Sequence, residues 1–351
     1  MEYRVVGESG LVVSTIGLGC GSFGRRADEG PKKLLTAAES RRTIEAAFDA
    51  GVTLYDTSDS YGDGEIVLGK ALAAHRDEVV IATKFGNRIR GGVDTDHGAR
   101  GSRRYVRLAV ERSLRRLGTD RIDLYQMHSP DGSTPIDETL GVLTDLVREG
   151  KVRYLGSSKL TAWEITEAAW TSRTAGLEHF VSAQNHYSLV ARKIEDDIIP
   201  ACRRYGVGVI PLRPLANGLL TGKYQPRAPY PEVDRPPRDL VERSADVLDA
   251  LDGFARERDL SMAAVALGGL LAMPGVAAVI PGATSPAQAV ANVQAGTWKP
   301  STDDLALLTT ITRHGPWPQD PAGSWPNVGS KWIGPKPPGF EGRGSPNDGA
   351  A

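Results

Sequence analysis

Cysteine is nearly absent from this 351-residue chain: only Cys20 and Cys202 occur, and they form no CxxC pair. That excludes a disulfide scaffold and fits a reduced compartment. Histidine is also sparse, and the six present show no metal-ligand spacing such as HExxH, so no metal site is expected. Surplus charge is missing too, since 42 basic and 43 acidic residues leave a net charge of −1. Such a balance predicts neither a nucleic-acid footprint nor a general attraction to anionic membranes. The start, Met1-Glu2-Tyr3-Arg4, lacks a basic stretch followed by an apolar run, and the expected location is cytoplasmic. One long uncharged run exists, Ser261 to Ile280, but Pro274-Gly275 cuts it. A helix through Met273 followed by a fully buried strand, Val276 to Ile280, explains that run better than a membrane span, because parallel strands covered on both faces read as continuous apolar stretches.

What is present is an ordinary globular composition, 40% hydrophobic and 24% charged, in a chain long enough to bury a substantial core. Eight candidate strands recur at regular intervals: 14–18, 53–55, 79–83, 122–126, 153–155, 180–184, 207–210 and 276–280. Helical patterns lie between them, at 41–50, 137–149, 162–171 and 194–205, and the clearest is the stripe Val106, Ala109, Val110, Ser113, Leu114, Leu117 closed by Gly118. Eight alternating βα units predict an α/β fold, a single (β/α)8 barrel over residues 1–314 with no second domain. An N-terminal β-hairpin over residues 3–13 should precede it, turning at Gly7 to Gly10. Five prolines between 226 and 237 predict a long loop after the seventh strand, at the C-terminal face. Residues 315–351 form a Gly/Pro/Trp-rich tail expected to be partly disordered, with Trp317, Trp325 and Trp332 leaving open that 315–334 pack over the barrel mouth.

Two motif matches are weak in context. Gly19-Cys20-Gly21-Ser22-Phe23-Gly24 fits the dinucleotide fingerprint GxGxxG, but charged loop rather than a helix follows it. A glycine-rich barrel loop is the better reading. Gly64 to Lys70 fits most of a phosphate loop, yet Ala71 stands where Ser or Thr would hold magnesium, and the apolar residues suit a helix.

Chemistry gathers elsewhere. Asp56 ends the second strand and is followed by Tyr61, Lys84 ends the third, and His128 follows the fourth. In a barrel these strand ends share one mouth, where functional residues collect. Tyrosine, with an ordinary pKa of ~10, is a weak acid at neutral pH, but a nearby ammonium favours its phenolate. Lys84 would supply the ammonium, Asp56 would orient it, and His128 would hydrogen-bond a carbonyl or help relay the proton. Singly, each has a plain structural explanation; on three successive strand ends together, a proton donor to oxygen is the stronger one.

The segments DTSDSYG (56–62), IATKFG (81–86), SLRRLGTDRIDLYQMH (113–128), VREGKVRYLGSS (147–158), AQNHYSL (183–189), PLANGLLTGKY (214–224) and IPGATSPAQAVAN (280–292) together resemble the aldo-keto reductase family. The resemblance covers roughly residues 3–311 and implies a (β/α)8 barrel that binds NADP(H) without a Rossmann domain. It also implies a catalytic tetrad of Asp56, Tyr61, Lys84 and His128. For the cofactor it implies Ser158 and Gln184 at the nicotinamide carboxamide, and Leu215, Gly218 and Lys223 along the pyrophosphate. Gly282, Ala283, Thr284, Gln288 and Asn292 fall at the adenosine-phosphate site. Four positions depart from the family pattern. Lys159 stands where asparagine is usual, Leu212 where an aromatic often stacks on nicotinamide, Arg213 where a small or aromatic residue is common, and Thr284 where many relatives carry a base.

The activity so implied is NADPH-dependent reduction of an aldehyde or ketone, a sugar or sugar-derived carbonyl being one candidate, to an alcohol, with Tyr61 as general acid and a small-molecule carbonyl as partner. Reduction of a conjugated double bond in a keto-sugar, or a regulatory cofactor-binding subunit, are the alternatives. Neither substrate nor oligomeric state is legible in the sequence.

Overall fold

A computed structural model describes residues 1–24, 35–87, 97–224, 236 and 238–313. The expected tail over 315–351 and nearly all of the proline-rich loop lie outside the described residues. The chain opens on an antiparallel hairpin, β1 (Tyr3–Val5) and β2 (Val12–Ser14), closed by the Val6 N–H to Leu11 carbonyl bond. Among the described residues seven parallel strands follow in sequential order: β3 (Leu18–Gly19), β4 (Leu54–Asp56), β5 (Val80–Phe85), β6 (Ile122–Met127), β7 (Val152–Ser158), β8 (Phe180–Gln184) and β9 (Gly208–Val209). The helices are α1 (Ala37–Asp49), α2 (Gly64–Leu72), α3 (Arg103–Leu117), α4 (Ile136–Arg148), α5 (Ala162–Ala175), α6 (Ile198–Arg204), α7 (Arg238–Arg243), α8 (Ala245–Arg256), α9 (Met262–Leu271), α10 (Pro286–Ala295) and α11 (Thr302–Thr312).

The eighth strand position is held by residues 276–282, which pair through single bridges rather than a continuous ladder. Val276 bridges Val209 on one side, while Val279 and Gly282 bridge Ile16 and Gly19 on the other, all in parallel sense. The sheet therefore closes on itself as a barrel. The uncharged run 261–280 divides as expected, although its helix ends at Leu271, two residues short of Met273. The stripe on α3 is buried at every one of its six positions, and Gly118 caps that helix with φ 64°, a left-handed conformation that glycine adopts at least cost.

Alternation along the strands sorts the interior into layers, since residues two apart share a face. Leu54, Ala82 and Leu124 join Val6, Leu11 and Val13 of the hairpin in one apolar cluster, so the hairpin plugs the N-terminal end of the barrel. Two residues further along the same strands stand Asp56, Lys84 and Gln126, which form the polar layer beneath the mouth. Gly19 sits where the barrel closes: a side chain there would meet the Ile280 carbonyl oxygen at 2.7 Å. Gly24 turns with φ 64° against the Gly64 backbone, and no helix starts within Gly19–Gly24, which removes the dinucleotide-fold reading. The phosphate-loop reading fails too, because Gly64–Leu72 is helix α2 and Gly69 packs against the Leu117 backbone of α3.

Candidate active site

Asp56, Lys84 and Gln184 end β4, β5 and β8 or lie one residue from their ends, and a parallel barrel turns all these ends toward one mouth. Lys84 is fully buried, with Nζ 2.5 Å from Asp56 Oδ1 and donating also to the Thr57 carbonyl at 2.9 Å. Burial is the largest influence and opposes its charge, but Asp56, by charge and hydrogen bond, together with Tyr61 and Cys20 outweighs it, and the Lys84 pKa stays above the ordinary lysine value. The ammonium lies 5.5 Å from the centroid of the Tyr61 ring. Tyr61 in turn meets the His128 ring edge to face at 5.9 Å. His128 is 5% exposed, and its pKa is held well below the usual histidine value by burial and by the Lys159 and Lys84 charges. It is therefore a neutral imidazole at neutral pH. Asp56, Tyr61, Lys84 and His128 thus converge as the sequence suggested.

Three participants were not picked out from the sequence. Gln126 donates from Nε2 to Asp56 Oδ2 at 2.9 Å, and Gln184 donates to the same oxygen at 3.0 Å, so the carboxylate is gripped by three donors. The signal for Gln126 was a lone amide in the apolar part of IDLYQM, in register with Lys84 on the neighbouring strand. Gly156 leaves the room it needs, since a Cβ there would lie 2.9 Å from Gln126 Cγ. Ser58 and Asp59 are the others: the Ser58 hydroxyl stands 3.0 Å from His128 Nδ1 and 3.3 Å from Asp59 Oδ1.

The residues expected at the cofactor fall at the ends of β7 and β8, in the loop after β9 and around the start of α10. Ser158 and Gln184 are Cα partners on β7 and β8, with the Ser158 hydroxyl donating to the Gln184 carbonyl at 3.0 Å. Beside them the buried Asn185 side chain donates to the Leu160 carbonyl, while its Oδ1 has no hydrogen-bond partner among the described residues. Amide and hydroxyl groups in that arrangement suit a carboxamide, which both donates and accepts. After β9 the loop carries Leu215, a strained turn over Ala216–Thr221 and the exposed Lys223. Arg213, Ala216, Asn217, Gly218 and Gly222 in this loop all have positive φ, a concentration of left-handed backbone of the kind stored at ligand sites. At the last strand end, the exposed Gly282 and buried Ala283 lead into α10, where the Thr284 N–H and hydroxyl donate to Gln288 Oε1 at 2.8 and 2.9 Å. Asn292 donates to the Gly282 carbonyl rather than pairing with Gln288. The helix N-terminus there suits an anion.

Lys159 and Arg213 stand behind the ends of β7 and β9 with φ 60° and 59°. Burial, with Lys84 and Arg213 nearby, lowers the Lys159 pKa to about 8. No group of three or more His, Cys, Asp or Glu suited to a metal ion occurs among the described residues. Nor is any described helix long and apolar enough to cross a membrane.

A barrel closed around a buried Asp–Lys pair, with tyrosine and histidine above it, agrees with sequence comparison. The model of the Aldo/keto reductase family matches residues 15–313. Similar curated proteins are the versiconal hemiacetal acetate reductase of Aspergillus parasiticus, 35% identical over 78% of this chain and 86% of that protein, and the uncharacterized oxidoreductase YrpG of Bacillus subtilis (strain 168), 36% identical over 80% and 87%. A probable aldo-keto reductase 1 of Glycine max is 34% identical over 86% of each chain. The chain belongs to the aldo/keto reductase family. It is accordingly an oxidoreductase of small carbonyl compounds, in a family that generally uses NAD(P)H.

Proposed function

We propose that this protein reduces an aldehyde or ketone to the alcohol with NADPH, Tyr61 acting as the general acid. The observation that carries the reading is the Lys84 ammonium, held by Asp56 at 2.5 Å and lying 5.5 Å from the Tyr61 ring. A bound reduced nicotinamide supplies the hydride. The chain's own work is to hold the carbonyl and deliver a proton to its oxygen. The neutral His128 imidazole hydrogen-bonds that oxygen, and the Tyr61 hydroxyl gives up its proton as negative charge develops there. The Lys84 ammonium places positive charge beside the Tyr61 ring, and Asp56 with Gln126 and Gln184 keeps that ammonium in place.

Ser158, Gln184 and Asn185 would hold the carboxamide, and Leu215, Gly218 and Lys223 would follow the pyrophosphate. Gly282, Ala283, Thr284, Gln288 and Asn292 would take the adenosine phosphate. The test is oxidation of NADPH over a panel of aldehydes, ketones and sugars by the wild type and by Tyr61→Phe. Turnover on some member of the panel that falls at least about 10²-fold in Tyr61→Phe, with cofactor binding retained, supports the reading. Near wild-type turnover in that variant overturns it.

A further inference from the structure

His128 has one ring proton, because burial and the two neighbouring ammonium groups keep it neutral. Its usefulness to a carbonyl oxygen depends on which nitrogen carries that proton. Only with Nε2 protonated and Nδ1 bare does the ring offer a donor beyond the Ser58 contact. Ser58 Oγ lies 3.0 Å from Nδ1, and a hydroxyl has one proton and two lone pairs. One lone pair accepts the Ser60 N–H at 3.2 Å. The second neighbour is Asp59 Oδ1 at 3.3 Å, and the third is the Ser60 hydroxyl at 2.9 Å. The Ser58 proton therefore cannot serve both the imidazole and an ionised Asp59.

Asp59 is a buried carboxyl that the proposed reduction does not itself use. It is 4% exposed, its backbone N–H is tied to the Lys84 carbonyl, and Oδ2 has no hydrogen-bond partner among the described residues. Glu65 faces it from α2, already committed to Arg116 at 2.6 Å and to the Thr83 hydroxyl at 2.6 Å. Tyr125 faces it from β6 and Lys84 from β5. Burial and the Glu65 charge raise its pKa to about 8, against the smaller pull of Arg116, Ser58 and Lys84. Lys84, Lys159 and Tyr61 are the charged or titratable groups facing His128 itself.

Resting on the proposed function, we propose that Ser58 and Asp59 are positioning residues: the Asp59 carboxyl, by keeping or releasing its proton, sets the tautomer of His128 through the Ser58 hydroxyl. With Asp59 protonated, its O–H donates to Ser58 Oγ and Ser58 donates to Nδ1, while the Ser60 hydroxyl turns its proton away from Ser58, and the Nε2 proton is left for a substrate oxygen. On ionisation the Asp59 proton passes to Ser58 Oγ, the Ser58 proton passes to Nδ1, and the Nε2 proton leaves to solvent. One proton is released in all. Ser58 then donates to the Asp59 carboxylate, and Nε2 presents a lone pair where the substrate oxygen needs a donor. The site is active below the Asp59 pKa and loses its carbonyl donor above it.

Long-range proton–nitrogen correlation on ¹⁵N-histidine protein reads the tautomer without any substrate, so it is decided separately from the proposed function. The resonance of His128 is identified by its loss in His128→Gln. We expect Nε2–H at about pH 7 and Nδ1–H at about pH 9.5 in the wild type, and Nε2–H at both in Asp59→Asn, whose amide donates and does not ionise. Ser58→Ala should abolish the switch and Ser58→Thr restore it. In parallel, kcat at saturating substrate and cofactor should fall at least about tenfold over that interval in the wild type, a fall that Asp59→Asn removes. One unchanging tautomer in the wild type, or a switch that survives in Asp59→Asn, overturns the proposal. Should Ser58→Ala fail to fold, Asp59→Asn alone decides it.

Discussion

Gln126 Nε2 donates to Asp56 Oδ2 at 2.9 Å, the same oxygen that Gln184 holds at 3.0 Å, so two amides on different strands fix the face of the carboxylate that Lys84 does not use. Gln126→Leu removes one donor at nearly constant volume and leaves the carboxylate oxygen with a single partner. Hydrogen bonds to charged groups contribute ~1.5–3 kcal/mol. The expected result is a kcat lowered by roughly tenfold and a thermal midpoint lowered by several degrees. Steady-state kinetics with a melting curve check it; a variant indistinguishable from wild type would show that Gln184 and Lys84 suffice.

Lys84→Met is expected to be more damaging. It strips the charge beside Tyr61 and strands Asp56, which is 5% exposed, without its cation. Removing one partner of a buried ion pair costs ~3–5 kcal/mol, so unfolding must be followed beside activity. A folded variant that still turns over would reduce Lys84 to a structural strand end.

Cofactor choice should be lenient. Thr284, Gln288 and Asn292 offer neutral groups, and Thr284 already donates to Gln288. Neutral hydrogen bonds contribute ~0.5–1.5 kcal/mol net, against ~1.5–3 kcal/mol for charged ones. NADPH should therefore be preferred over NADH by a modest factor, and Thr284→Arg should widen the ratio by roughly tenfold. Fluorescence titration of both cofactors measures it, and equal dissociation constants in the wild type would refute the preference.

Affinity for an anion at the mouth should weaken as pH rises through about 8. Burial first, then Lys84 and Arg213, bring the Lys159 pKa down to that value. Its ammonium is thus charged below about pH 8 and lost above it, although free lysine would keep the charge. In Lys159→Asn the pH dependence should flatten, and Arg213→Leu should weaken binding at every pH. The constant that moves assigns the anion: the NADPH dissociation constant if it is the cofactor phosphates, the substrate KM alone if it is a carboxylate or phosphate on the substrate. If neither moves, neither side chain holds an anion at the mouth.

The sequence by itself determined the barrel, because alternating apolar runs and helical stripes are local and survive any error in their ends. The α3 stripe and its Gly118 cap needed no tertiary information. That Asp56, Tyr61, Lys84 and His128 come together was legible for a related reason: strand ends in a parallel barrel must face one mouth, so position along the chain implied proximity. What the tertiary structure alone decided is pairing across strands and the burial that sets charge. Gln126 reads as one polar residue in a buried strand until register sets it against Lys84 and Asp56. The last strand is only an apolar run until Val279 and Gly282 bridge Ile16 and Gly19 to close the sheet. Asp59 looks like any solvated acid in DTSDSYG, and only the packing of Glu65 and Tyr125 around it raises its pKa to about 8. Such effects depend on distance and desolvation across segments far apart in sequence, which no local pattern encodes.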